Sequence, residues 1–332
     1  MTSAARVPLS VLDLAHISSG VDSHSTLLNT VTLARHAEAL GYRRVWYAEH
    51  HGMRSIASSA PEVLIANTAA ATDSIHVGSG GIMLPNHAPL RIAEAFQTLE
   101  ALHPGRIDLG IGRAPGSDRA AMAAMRPFDA EQFPSQLHEL FALSRGGFPP
   151  DHAFHTVRAT PADVDLPPVW LLGSSGASAA FAGSLGLGYA FAGHFSETPA
   201  APAMNAYREA FTPSAAFPEP HAILALSVIC APTDEEADYL AGSLDLAWLR
   251  MRRNEFGPVP TPEEAAAYDY DAHERVFVEQ NRRKHVLGSP ATVVRRLAEL
   301  RKESGASEIM LSTMVHSHDA RMRSLELLAA AW

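Results

Sequence analysis

Glu49-His50-His51 is the first group in the chain whose residue types could do chemistry, and it follows directly on the apolar run Val45-Trp46-Tyr47-Ala48. A carboxylate and two imidazoles just past a core strand can supply a general base or a hydrogen-bond donor near neutral pH. A metal shared by His50 and His51 is disfavoured, because neighbouring residues on an extended chain point to opposite sides. The plain alternative is a capping and packing cluster. His50 is the candidate catalytic residue.

Two further apolar runs end in the same way. Val77-Gly78-Ser79 leads into Gly80-Gly81, where consecutive glycines let the backbone adopt conformations closed to other residues and let a flat ligand lie directly on it. Pro85-Asn86-His87 then begins a loop on the same rim. Ile107-Asp108-Leu109-Gly110-Ile111-Gly112 leads into Arg113, an arginine emerging from a strand into a Gly- and Pro-bearing loop and so placed to meet a phosphate. Its complement is Gly173-Ser174-Ser175-Gly176-Ala177-Ser178, where hydroxyls, backbone N–H groups and the positive end of a helix dipole make an anion site. The serine turn alone reads equally well as an ordinary N-cap; Arg113 together with Gly173, Ser174, Ser175 and Ser178 makes the stronger case.

Other polar residues carry less. Asp151-His152 with His155, and His316 with His318, lack a third suitably spaced ligand and read as solvated loop histidines. Asp108, amid apolar neighbours, reads as a salt-bridged structural group. Cys230, the sole cysteine, sits in an apolar run and reads as a small buried hydrophobe without a disulfide partner.

The elements that must hold these residues alternate along the chain, strand-sized apolar runs with helical patterns, as in βα units around a parallel sheet. Strands are expected over residues 7–12, 44–48, 75–80, 106–111, 169–172, 189–192, 222–229 and 308–312. Helices are expected over 25–40 with Ser25 as cap, 61–71, from Pro89 to about 102, 132–144, 175–185, 202–211, 235–253, 290–304 and 319–331. These count out to an α/β chain forming a (β/α)8 TIM barrel, with long insertions after the fourth and seventh strands. Polar groups gathered at the C-terminal ends of barrel strands are how such enzymes build a site. The competing doubly wound sheet needs a Gly-rich turn after the first strand, but Ala15-His16-Ile17-Ser18-Ser19-Gly20 stands there.

Composition sets outer bounds. The 332 residues are read as a single domain spanning 1–332, since barrels reach this size with enlarged loops. Hydrophobic content of 47% with 19% charged residues belongs to a compact chain with a large core. A formal net charge of −10 argues against nucleic acid as a partner. No apolar run has the length to cross a bilayer, and Asp13 and His16 interrupt any leader-like apolar core, so a cytoplasmic protein without membrane attachment is expected.

The run Val45 to His51, the run Gly78 to Arg91 and the run Leu102 to Gly116, with Trp170 to Ser175 and Gly288-Ser289-Pro290, resemble the bacterial luciferase-like flavin-dependent monooxygenases, in particular their alkanal-monooxygenase-like single-gene group. The resemblance extends over almost the whole chain. It implies a barrel that binds reduced FMN, lets O2 add to the flavin as a C4a-hydroperoxide, and passes one oxygen atom to a small organic substrate. It implies that His50 sits by the flavin and supports its proton transfers, that Gly80-Gly81 corresponds to a non-prolyl cis peptide against the ring, and that Arg113, Ser175 and Ser178 contact the flavin phosphate. It further implies that residues 257–285 form a lid over the flavin, and that the enzyme is a homodimer. Gly112 stands where the luciferase α subunit has a reactive cysteine, and Ser174 where it has a glutamate. A second phosphate-binding arginine has no clear counterpart. These departures fit FMN arriving as a diffusible co-substrate from a separate flavin reductase.

The main expectation is therefore an FMN-dependent monooxygenase, with hydroxylation, epoxidation and aldehyde oxidation all open. One alternative keeps the fold but uses deazaflavin (F420) for hydride transfer, which needs room for a longer anionic tail. Another is a non-catalytic flavin-binding protein, against which the presence of His50 argues. A metal-dependent barrel hydrolase trails, since no H-x-H motif follows the first strand.

Overall fold

A computed structural model describes residues 6–125 and 129–332 of the chain; residues 126–128, inside the first insertion, lie outside the described residues. Among the described residues, ten strands run in chain order: β1 (Leu9–Asp13), β2 (Arg44–Tyr47), β3 (His76–Ser79), β4 (Ile82–Met83), β5 (Ile107–Gly112), β6 (Val169–Gly173), β7 (Gly188–Ala192), β8 (Ala222–Cys230), β9 (His285–Gly288) and β10 (Glu308–Ser312). Every pairing is parallel, and the order β1-β2-β3-β5-β6-β7-β8-β10 closes on itself through the β10–β1 pairing. The eight expected staves are present, as a (β/α)8 barrel with insertions after β5 and β8.

Two short strands depart from the expected set. β4 continues the stave of β3 past Gly80-Gly81 and pairs with the far end of β5, Ile82 opposite Ile111. β9 is added to the upper half of β8, with Ser227 opposite His285 and Cys230 opposite Gly288, while the lower half of β8 lies between β7 and β10. The stretch 257–285 is thus structured: it holds helices Pro262–Ala267 and Ala272–Arg282 and runs into β9. Its start is fastened to the loop after β1, where Val259 N–H donates to Ile17 O at 2.8 Å and Ser19 N–H to Val259 O at 2.9 Å.

The helices keep the periods that predicted them. Helix Ser23–Ala39 begins two residues before the expected start, because Asp22 and not Ser25 is its cap: the Asp22 carboxylate accepts from Ser25 N–H at 2.7 Å. Helix Pro89–Leu102 starts on proline, and helix Pro290–Ser304 starts on proline and ends on left-handed Gly305. Their apolar faces bury Leu33, Ile65, Phe96, Leu140 and Val293 against the outer face of the barrel. Among the described residues no helix is long and apolar enough to cross a membrane.

Inside the barrel, the lower half is filled by charge and indole. Arg44 donates to Asp108 Oδ2 at 2.6 Å and to Glu308 Oε1 at 2.8 Å, all three residues being buried. Trp46 Nε1 and Trp170 Nε1 donate to the two Asp108 oxygens at 3.0 and 3.3 Å, and the Arg44 guanidinium lies 4.8 Å from the Trp170 ring centroid. Burial pushes the Glu308 carboxyl up, but Arg44, His221 and Ser10 together hold it down to about 2. Buried charges persist only with partners of this kind. Glycines make the space: a Cβ on Gly188 would lie 2.2 Å from the Trp170 ring, and one on Gly78 2.6 Å from Asp108 Cβ. The structural role expected for Asp108 is the one observed, and Cys230 is buried as expected.

Candidate active site

The upper, C-terminal half of the barrel is organised by Glu49. This residue is fully buried just past β2, where a lone carboxylate would be costly. It has four donors: His51 Nε2 at 2.8 Å, His87 Nε2 at 2.9 Å, Met83 N–H at 2.9 Å and Asn86 Nδ2 at 3.3 Å. Burial pushes its pKa up, yet the bonds from His87, His51 and Met83 outweigh that and hold it below the usual glutamate value. Asn86 Nδ2 also donates to Pro115 O at 2.9 Å, and His51 N–H to Gly116 O at 2.9 Å. One carboxylate thus ties together the rim loops that follow β2, β4 and β5.

With His51 drawn to Glu49, His50 lines a cavity of about 300 Å³ at the barrel mouth. Its backbone is pinned by His50 N–H donating to Ser58 O at 3.0 Å. Its Nδ1 is buried and has no hydrogen-bond partner. Burial pushes the His50 pKa down, against the Gly116 carbonyl and Glu49, which push it up. The ring is neutral near pH 7, as a proton acceptor or relay needs to be.

Three more histidines line the same cavity: His16 after β1, His194 after β7 and His285 opening β9. Burial is the first cause in each case, lowering His16 to about 3 and His194 and His285 to about 4. The remaining wall is mostly apolar, with Met53, Ile56, Phe195, Leu244, Trp248 and Met314 prominent. Sequence reasoning missed these three histidines. His16 and His194 obey the same rule that found His50, a polar residue just past a barrel strand; His285 depends on β9, which no periodicity announced.

The other sequence-predicted residues fall on the opposite arc of the rim. Gly80-Gly81 is a cis peptide, and neither glycine lines the cavity. Their missing side chains are explained by the barrel itself: a Cβ on Gly81 would lie 2.8 Å from Gly110 O, and one on Gly80 2.7 Å from Leu12 Cδ1. Asn86 is taken up by Glu49 and Pro115. Arg113 is the first residue after β5, exposed and without a hydrogen bond or ion pair to another described residue. On the neighbouring stave, Ser175 caps helix Gly176–Ser184 in position but makes no side-chain cap bond. Ser178 Oγ donates to Ser175 O at 2.9 Å and fills the space beside Gly173. Ser174 O accepts from Thr198 Oγ1 at 3.1 Å. β5 and β6 pair directly, so Arg113 and the serine turn open on adjacent stave ends.

Among the secondary clusters, Asp151, His152 and His155 are exposed, as expected for solvated loop residues, while His316 and His318 are partly buried. His152 stacks on Phe148 with ring centroids 4.2 Å apart, His155 Nδ1 lies 3.0 Å from Phe148 O, and His316 Nε2 lies 2.9 Å from Ser19 O.

A family model described as luciferase-like monooxygenase matches residues 7–308. The chain belongs to the luciferase-like monooxygenase family. Within it, a luciferase-like monooxygenase of Escherichia coli K12 is 42% identical over 324 residues, covering 97% of this chain and 96% of that protein. An N-acetyl-S-alkylcysteine monooxygenase of Bacillus subtilis is 34% identical, with 98% of each covered. The crystal structure of apo-MsnO8 has a TM-score of 0.89 at 37% identity, with 98% of each chain covered. The oxygenating constituent of 3,6-diketocamphane monooxygenase from Pseudomonas putida, in complex with FMN, shares the fold at TM-score 0.70 and 19% identity, covering 98% of this chain and 97% of that one. Membership of this luciferase-like family, with monooxygenases among its relatives, supports an oxidoreductase.

Proposed function

We propose that the protein is a flavin-dependent monooxygenase that takes reduced FMN from a separate reductase and, with O2, places one oxygen atom on a small organic substrate. The observation that carries the reading is His50, a residue in the wall of a largely apolar cavity at the barrel mouth whose buried Nδ1 has no hydrogen-bond partner. The residues present fit the group. Arg113 is a cation uncommitted to any described residue, and the Ser175 hydroxyl makes no cap bond to its helix backbone, only a long 3.5 Å contact to Ser178 Oγ, beside Gly176, where a Cβ would meet nothing within 4 Å. In this reading Arg113, Gly173, Ser174, Ser175 and Ser178 hold the phosphate, and Gly80, Gly81 and Asn86 flank the path to the ring. Bound reduced FMN supplies the electrons that activate O2.

This chain's residues do the rest. Neutral His50 accepts or returns a proton at Nδ1, and Glu49 keeps His51 from competing for the same position. The apolar wall excludes water from the reacting atoms. The deazaflavin alternative has less support: two F420-dependent structures are 13% and 15% identical and share only the fold, whereas one E. coli relative at 42% and one B. subtilis relative at 34% are named monooxygenases.

The test is to bind reduced FMN anaerobically and admit oxygen. The reappearance of oxidised flavin should lag behind that of free FMN, and His50→Ala should shorten the lag. Coincident traces for protein-bound and free flavin would show the reading to be wrong.

A further inference from the structure

Ser227 and Ser312 stand opposite each other where β8 and β10 pair, and both line the cavity. Two residues lower on the same strands, Ala225 and Met310 pack with Trp46 and Trp170 inside the barrel. Side chains alternate between the faces of a strand, so the two serines belong to that inner face, one layer higher. They form the floor of the cavity. The residues are only 6% and 8% exposed, yet neither hydroxyl has a hydrogen-bond partner among the described residues, and neither oxygen is sealed off from the open space. If the barrel needed only small side chains here, alanine, as at position 225, would give the room without two unpartnered polar atoms.

Their register says what the two hydroxyls can hold. Neighbouring strands run about 4.8 Å apart, and the hydroxyls make no bond to each other. One oxygen atom seated over the gap is within reach of both at the ordinary O–H···O length of about 2.8 Å. A hydroxyl turns freely to donate or to accept. A carbonyl oxygen can therefore take one bond from each serine, and an alcohol can take one and give one. The rest of the wall limits what carries that oxygen. Of the residues lining the cavity, Arg250 and Glu255 are the ones that carry charge near pH 7. Arg250 is paired with Glu264 at 2.5 Å, and Glu255 is an exposed residue. An ionic group at the floor would lose its water and find no counter-ion.

We propose that Ser227 and Ser312 are specificity-determining residues of this cavity: together they clamp the single oxygen of an uncharged carbonyl or alcohol whose body is apolar. The inference rests on the cavity being the substrate site of the monooxygenase proposed above. Its test uses the flavin-free protein, so the two can fail separately.

The probes are acetophenone labelled with 13C at the carbonyl, ethylbenzene and benzoate, which share a ring and differ as carbonyl, hydrocarbon and anion. Calorimetry or ligand-observed NMR measures their binding. Acetophenone should bind about tenfold more tightly than ethylbenzene, a difference of about 1.4 kcal/mol, and benzoate more weakly than either. The infrared carbonyl band of bound acetophenone should lie below its position in hexane. Ser227→Ala and Ser312→Ala should each raise that band part of the way back, and the double variant should bind the two neutral probes alike. Neither hydroxyl supports the fold, so the alanine variants should melt with the wild type and bind FMN as it does. The proposal is overturned if the wild type fails to bind acetophenone, shows no preference for it over ethylbenzene, prefers benzoate, or leaves the carbonyl band where hexane has it. The wild-type band alone decides this even if a variant does not fold. A preference that survives in the double variant, or a loss of FMN affinity in place of acetophenone affinity, overturns it equally.

Discussion

His51 Nε2 donates to Glu49 Oε1 across 2.8 Å, and this bond separates the duties of two adjacent histidines, committing His51 to the frame and leaving His50 for the cavity. Because Glu49 also receives His87, Asn86 and the Met83 amide, its removal strands several donors at once. Glu49→Leu should destabilise the protein by roughly 2–4 kcal/mol, the range for breaking a buried charge-assisted network. Urea unfolding measures this, and a loss within error of zero would show that the loops hold without their carboxylate.

The cavity histidines set a pH dependence. His16, His194 and His285 titrate at about 3, 4 and 4 in the folded protein, against an ordinary value of 6.5. The unfolded chain therefore binds protons first as pH falls, so their contribution to stability is complete above 6.5 and is lost on descending from there toward 4, and for His16 toward 3. Each ring accounts for at most roughly 3 kcal/mol of that loss. Unfolding free energies measured from pH 7 to pH 4 should fall, and His285→Phe should flatten the slope. A profile unchanged by that substitution would place the ring in water.

Glu308 adds a second descent at lower pH. Its folded value of about 2 lies below the ordinary 4.5, so its contribution is present above 4.5 and is lost as pH falls from there through 2. Glu308→Gln should remove the part of the acid-unfolding slope below pH 4.5 that wild type shows; identical slopes would contradict the ion-pair description of the lower barrel.

Steric space separates two glycines of the rim. Gly81→Ala drives a Cβ to within 2.8 Å of Gly110 O and should cost at least about 2 kcal/mol, as backbone overpacking does. Gly176→Ala meets nothing within 4 Å and should be close to neutral. Thermal melts of the two variants side by side check the contrast.

Arg113→Ala should weaken FMN by about tenfold while leaving riboflavin unchanged, since only FMN carries the phosphate that a charge-assisted bond would hold. Fluorescence titration with both ligands decides it, and equal losses would remove Arg113 from the phosphate site.

The barrel was legible because its signals are local: strand-sized apolar runs, prolines that open helices and glycines that close them. His50 was legible by the same logic, one residue past a strand end. What escaped depended on partners distant in the chain. Glu49 looked like one member of a trio, but its other donors come from residues 83–87, which reach it through β4. Ser25 looked like a helix cap because both it and Asp22 are capping residues, and only the backbone path chose Asp22. Gly80 and Gly81 read as a bed for a flat ligand, but sequence could not show that Leu12 of β1 and Gly110 of β5 also leave no space for side chains there. His285 lies on a strand that exists only because β8 is long enough to pair on two levels.

The plug of Arg44, Asp108, Glu308, Trp46 and Trp170 makes the barrel a cul-de-sac. Whatever enters at the mouth has no through-route and must back out the way it came. Under the proposed function, with flavin and substrate sharing that mouth, the deeper-seated of the two leaves last.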